Sequence, residues 1–208
     1  MSKVMMGVTM SLDGFIAGPN DSPEHPLGEG GERLFEWYSS GDTEYTFPAS
    51  DMVFKISAAS ADMLRKVFSS LGAIVTGRRT FDITDGWDGR HPLDLPVFVV
   101  THTVPHDWIE AHPDAPFTFV TEGVESAVRQ AQAVAGDKNV AVGAASLVQQ
   151  CLAAGLLDEV HVDLVPVLLG GGVRLFDKLG PRTIELEKAE VIDAPDVTHL
   201  TYRVVKPG

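Results

Sequence analysis

Ala73-Ile74-Val75-Thr76-Gly77-Arg78-Arg79-Thr80 decides the fold. Four short, β-compatible residues reach a glycine without a spacer, and two arginines follow at once. That pattern reads as a buried strand running straight into a helix. It recurs at Asn139-Val140-Ala141-Val142-Gly143, which leads into a helix over 145–154 closed by Gly155. A third instance is the long apolar run 158–169, which ends in Gly170-Gly171-Gly172 and predicts a short helix over 173–179.

Working outward, residues 3–10 read as a buried first strand that stops at the turn Ser11-Leu12-Asp13-Gly14. Residues 18–31 are loop by composition, 32–39 predict a short helix, and 41–54 fit no single pattern. Ser57 is a fitting N-cap for a helix over 58–71, whose apolar stripe is Met63, Leu64, Val67, Phe68 and Leu71, with Gly72 as its closing residue. Further strands are predicted over 96–101 and 116–121, and an amphipathic helix over 124–135. The tail predicts an antiparallel hairpin, 183–192 with 197–205, turning through Asp193-Ala194-Pro195-Asp196. Strands alternating with helices and then a hairpin make an α/β fold with a mixed sheet and helices on both faces.

The chain has 208 residues, enough for one domain with a sizeable core. With 44% hydrophobic and 22% charged residues it is not disordered. Its net charge, 16 − 29 = −13, opposes nucleic acid and anionic membrane surfaces. Any anionic ligand must be met by a local basic site. The single cysteine, Cys151, excludes an internal disulfide and a cysteine metal cluster, and its surroundings predict a buried side chain. No apolar run approaches a membrane span. Met-Ser-Lys-Val-Met-Met-Gly at the start reads as a first strand and not as a leader, so the expected location is the cytoplasm.

Glycines at strand ends serve either tight turns or close approach of backbone to a phosphate. Arg78 and Arg79 repel each other at a helix start, which is unfavourable unless an anion arrives; a solvated surface pair is the alternative. Trp37, Tyr38, Tyr45 and Phe47 either stack on a heterocycle or cover the core, with core favoured. Glu32 and Glu36 read as solvated helix carboxylates. His161 and Asp163 share a strand face but lack a third ligand, so no metal is expected. Trp87 and His91 read as surface residues.

Taken in order, Ser11 to Ala17, Gly77 to Phe81, Gly143 to Leu147, and Asp158 through Pro166 and the glycine triplet to Phe176 resemble the dihydrofolate-reductase-like superfamily. The closest branch is the reductase domain of the bacterial bifunctional riboflavin-biosynthesis deaminase–reductase and its stand-alone relatives. The resemblance covers most of the chain except 20–56. It implies a three-layer α/β/α domain over 1–208 that transfers a hydride from NADPH. The substrate it implies is a small heterocycle, like 5-amino-6-(5-phosphoribosylamino)uracil or a pterin. By the same resemblance Arg78 pairs with the adenosine 2′-phosphate, and Gly77, Arg79 and Thr80 line the phosphate path. Thr101 lies by the adenosine. Gly143, Ala144, Ala145, Ser146 and Leu147 wrap the pyrophosphate, while Ile16 and Ala17 meet the nicotinamide. Asp13 is the expected catalytic residue, with Gly14, Gly170 and Gly171 beside it at the substrate. The family often has Gly-Gly where this chain has Gly143-Ala144. The deaminase half is absent: no His-x-Glu with a following Pro-Cys-x-x-Cys occurs. A nucleotide-binding module without turnover, such as a pyridine-nucleotide sensor, is the alternative. The apolar residues of the terminal hairpin and the family both predict a homodimer.

Overall fold

The structure is a computed structural model and describes residues 2–181 and 183–206. The chain opens with strands β1 (Val4–Ser11) and β2 (Phe15–Ala17), then a 3-10 helix, Gly31–Ser39. The pair β3 (Thr43–Tyr45) and β4 (Phe54–Ile56) precedes α1 (Ala58–Ser69), β5 (Leu71–Gly77) and α2 (Arg78–Ile83). Next come β6 (Val97–Val100), α3 (His106–Ala111), β7 (Phe117–Val120), α4 (Val124–Ala135), β8 (Asn139–Val142) and α5 (Ala145–Ala153). The chain ends with β9 (Glu159–Val165), β10 (Val173–Arg174), β11 (Leu186–Ala194) and β12 (Val197–Val204).

The main sheet has eight strands in the order β11-β12-β9-β1-β8-β5-β6-β7. From β9 to β7 every neighbour is parallel, and the hairpin β11–β12 adds antiparallel to β9. Period-two alternation sends Val4 and Met6 of β1, with Val160 and Val162 of β9, into the core beneath α4 and α5. On the opposite face α1 and the 3-10 helix bury Leu34, Trp37, Tyr45 and Leu64 against Val165 and Val197. Trp37 and Tyr45 therefore belong to the core, with Tyr38 and Phe47 packed beside them. Cys151 is fully buried, which pushes its thiol up to about 12. No helix of the described residues is long and apolar enough to cross a membrane.

Three local expectations are corrected. Gly72 does not close α1. Ser70 follows that helix, and Gly72 sits inside β5, where a Cβ would come within 2.9 Å of Ala135 Cα. Its small size lets the end of α4 close on the sheet. Residues 173–179 do not wind into a helix: Val173 and Arg174 pair antiparallel with β2. Gly172, at φ +122°, makes that crossing possible, because a Cβ there would lie 2.0 Å from Ala17 O. The strand expected over 158–169 stops at Val165, before Pro166, which lacks an amide proton for the ladder. Among the elements the sequence did not announce, α3 is only six residues long, too short to show a period.

Candidate active site

The parallel neighbours β5 and β8 end side by side, with Gly143 N–H donating to Val75 O at 2.8 Å. Both then open into helices, α2 and α5. First-turn amides of a helix lack intrahelical acceptors, so two sets of them face the same end of the sheet. That end carries a cleft of about 790 Å³. Ile16, Ala17, Gly77, Arg78, Arg79, Thr80, Thr101, Ala144, Ala145, Ser146 and Leu147 all line it. Eleven of the residues singled out for a dinucleotide therefore converge on one cavity of suitable size.

The two arginines are held apart by different partners. Arg78 donates from Nε to Asp82 Oδ1 at 2.7 Å and from Nη1 to Thr103 O at 2.7 Å. Its Nη1 also reaches the hydroxyl of buried Thr101 at 3.4 Å. Arg78 is thereby oriented toward the β6 end of the cleft. Arg79 pairs with Asp21: Nη2 to Oδ1 is 2.6 Å, Nε to Oδ2 is 2.9 Å, and Nη2 also donates to Asp21 O at 2.9 Å. The Asp21 hydrogen bonds and charge hold the Arg79 guanidinium above its ordinary pKa. Asp21 belongs to the loop between β2 and the 3-10 helix, which also lays Pro26 and Leu27 along the cleft. Sequence reasoning missed Asp21, since 58 residues separate it from its arginine.

Ala144 links β8 to α5 and takes φ +74° and ψ 128°. An L-residue rarely adopts that conformation, and the position stands where the related family often has a second glycine. Gly143 itself lines a different cavity, described below.

Asp13, Gly14, Gly170 and Gly171 lie together, but outside the lining of the cleft. The Asp13 carboxylate accepts from Ser11 Oγ (2.6 Å), Leu169 N (3.1 Å) and Gly170 N (2.7 Å). The Ser11 hydroxyl, ahead of the two amides, holds this carboxyl below its usual range. Gly14 O accepts from Leu175 N at 3.1 Å. Asp13 thus fastens the turn after β1 to the loop after β9, with every contact local to that junction. Glu32 and Glu36 are exposed, as expected.

A second cavity, of about 190 Å³, lies on the α1 side of the sheet and is lined by Met5, Gly7, Phe68, His91 and Gly143 among others. His91 is consequently not a plain surface residue; burial drops its imidazole to about 4. Trp87 is half-buried against it, with ring centroids 4.6 Å apart. On the same face Asp163 Oδ1 meets His199 Nδ1 at 2.6 Å, and His199 Nε2 meets Ser60 Oγ at 2.8 Å. This buried chain ties α1 to β9 and β12. His161 lies against Glu159 and Thr201, and no group of three or more metal-ligating side chains exists among the described residues.

The family model described as the RibD C-terminal domain matches residues 2–200. The uncharacterized protein YwjB of Bacillus subtilis (strain 168) is 24% identical over 182 residues, which is 87% of this chain and 86% of that one. Among solved structures, a putative riboflavin biosynthesis protein from Shewanella sp. PV-4 superposes with TM-score 0.67 at 21% identity, covering 99% of this chain and 100% of that one. A pyrimidine reductase-like protein from Corynebacterium diphtheriae gives 0.58 at 13%, covering 99% and 93%. Acinetobacter baumannii RibD gives 0.59 at 15%, and this chain spans 58% of its length. The shared architecture is the dihydrofolate-reductase-like one, with its mixed central sheet.

Proposed function

This chain belongs to the RibD C-terminal domain family, and from that premise we propose that it is an NADPH-dependent reductase of a small heterocycle. The observation that carries the reading is the convergence of eleven residues from β2, β5–α2, Thr101 and the start of α5 on one cleft. When bound, NADPH supplies the hydride. The protein's own residues bind and orient. Arg78, already fixed by Asp82 and Thr103, presents its guanidinium to a 2′-phosphate. The first amides of α5 and the Ser146 hydroxyl meet the pyrophosphate. Ile16 and Ala17, with Val173 beside them, form the apolar wall for the nicotinamide and exclude water there. Asp13 positions this wall by pinning the turn that precedes β2. The substrate is like an aminouracil ribosyl phosphate or a pterin, and its proton comes from water. The enzyme acts in the cytoplasm as a homodimer, with the edge strand β11 and its exposed Leu186 and Val191 covered by the second copy.

One observation favours a nucleotide-binding module without turnover. Among the described residues Asp21 is the only carboxylate lining the cleft, and Arg79 occupies it. Isotope transfer separates the two readings. With 4-deuterated NADPH and a panel of aminouracil, pterin and quinone-like acceptors, a reductase yields deuterated product. NADPH binding without label transfer to any acceptor supports the module instead.

A further inference from the structure

β11 ends the main sheet, so one side of its backbone has no neighbouring strand. It runs for 9 residues, against a usual strand of about five or six. Every residue from Leu186 to Val191 is exposed, so neither a helix nor a loop hides this edge. A long bare edge is a template for another strand unless something blunts it.

The charges along the edge fall into two sets. The pairing with β12 has a bulge between Lys188 and Glu190. It inserts one residue, Ala189, and so changes which residues share a face. Lys188, Val191 and Asp193 stand opposite Tyr202, Leu200 and Thr198, which alternate along one face of β12. Glu187 and Glu190 stand opposite Arg203 and Thr201, on the other face. Those two carboxylates are answered within the chain: Glu187 meets Arg203 at 3.7 Å, and Glu190 meets Lys66 at 2.9 Å. Lys188 and Asp193 have no ion-pair partner among the described residues. Counted on β12, they lie two positions to either side of Val191. A two-fold axis through Val191 therefore brings cation to anion, as a contact between identical surfaces requires.

We propose that β11 pairs antiparallel with β11 of a second copy, with Val191 facing the partner's Val191 and Lys188 facing the partner's Asp193. The two eight-stranded sheets then become one. In this register Glu190 faces the partner's Ile192, so no like charges meet around the axis. The bulge serves the pairing, because without it Lys188 would stand on the opposite face from Asp193. The inference rests on the homodimer proposed above and gives it a surface and a register. No residue of the cleft takes part.

The test is sedimentation equilibrium of the full chain and of its charge variants. The unmodified protein should sediment at twice 22.4 kDa. Lys188→Asp and Asp193→Lys each oppose like charges twice per dimer, and each should weaken association about tenfold or more. The double variant restores the pairs in reverse and should return to within about threefold of the unmodified protein. Val191→Cys reads the register. Directly opposed residues of an antiparallel ladder have Cα atoms about 4.5–5.5 Å apart, within disulfide reach. Cys151 is buried and does not compete. Oxidised glutathione should join Val191→Cys chains in pairs and leave Glu190→Cys chains single. A monomer at all concentrations overturns the homodimer and this surface together. A dimer that ignores the single charge reversals, or that does not cross-link through position 191, keeps the homodimer and overturns this surface.

Discussion

Replacing Ala144 by glycine should stabilise this protein, which is the reverse of the usual effect. Ala144 holds φ +74° and ψ 128°, and its methyl is the source of the strain. A non-glycine residue in such a region costs about 1–3 kcal/mol. Against that, glycine makes the unfolded chain more flexible, which costs about 0.4–1 kcal/mol. The methyl is only partly buried, so little packing is lost. The balance is a gain of roughly 0.5–2 kcal/mol, or about 1–8 °C in Tm for a chain of this size. Ala145→Gly is the control. One residue on, inside the first turn of α5, it relieves nothing and should cost about 1 kcal/mol or more. Urea unfolding of both variants reads the two signs side by side. A lower midpoint for Ala144→Gly with an unchanged slope would refute the reasoning, and would mean that the strand-to-helix junction is built around the methyl.

Two further outcomes follow from the charges. Asp21→Asn should release Arg79 for an anionic ligand and tighten NADPH binding about three- to tenfold at low ionic strength, with the gain shrinking in salt; titration calorimetry at two salt concentrations checks this, and an unchanged affinity contradicts it. Folding stability should fall between about pH 6.5 and 4, because the unfolded His91 takes a proton that the buried imidazole refuses until about 4. The loss amounts to at most about 3 kcal/mol and should be missing in His91→Phe, as denaturant midpoints across that range will show.

Much of this was legible locally. α4 begins and ends where its Val/Ala stripe does, and Ser57 accepts from Ser60 N as an N-cap should. The strand–glycine–helix junctions at Gly77 and Gly143 were equally visible, and with them most of the cleft. What stayed hidden depends on distant partners. Val173, Phe176 and Leu179 fit a helical spacing while Val173 and Leu175 fit a strand, and only β2, more than 150 residues earlier, decides between them. The fastening of Asp13 was hidden because its partner, Gly170 N, lies 157 residues on. His91 looked like a loop residue, since its cavity is assembled from β1, α1, β5 and β8 together.

On the function proposed above, Arg78 gives this cleft its preference for a phosphorylated dinucleotide. The direct measurement is the ratio of Kd for NADH and NADPH in the unmodified protein and in Arg78→Ala. A charge-assisted contact is worth about 1.5–3 kcal/mol, so NADPH should bind roughly ten- to over a hundredfold more tightly, and the variant should lose most of that preference. Equal affinity for the two dinucleotides in the unmodified protein, or a preference that survives Arg78→Ala intact, would contradict the account.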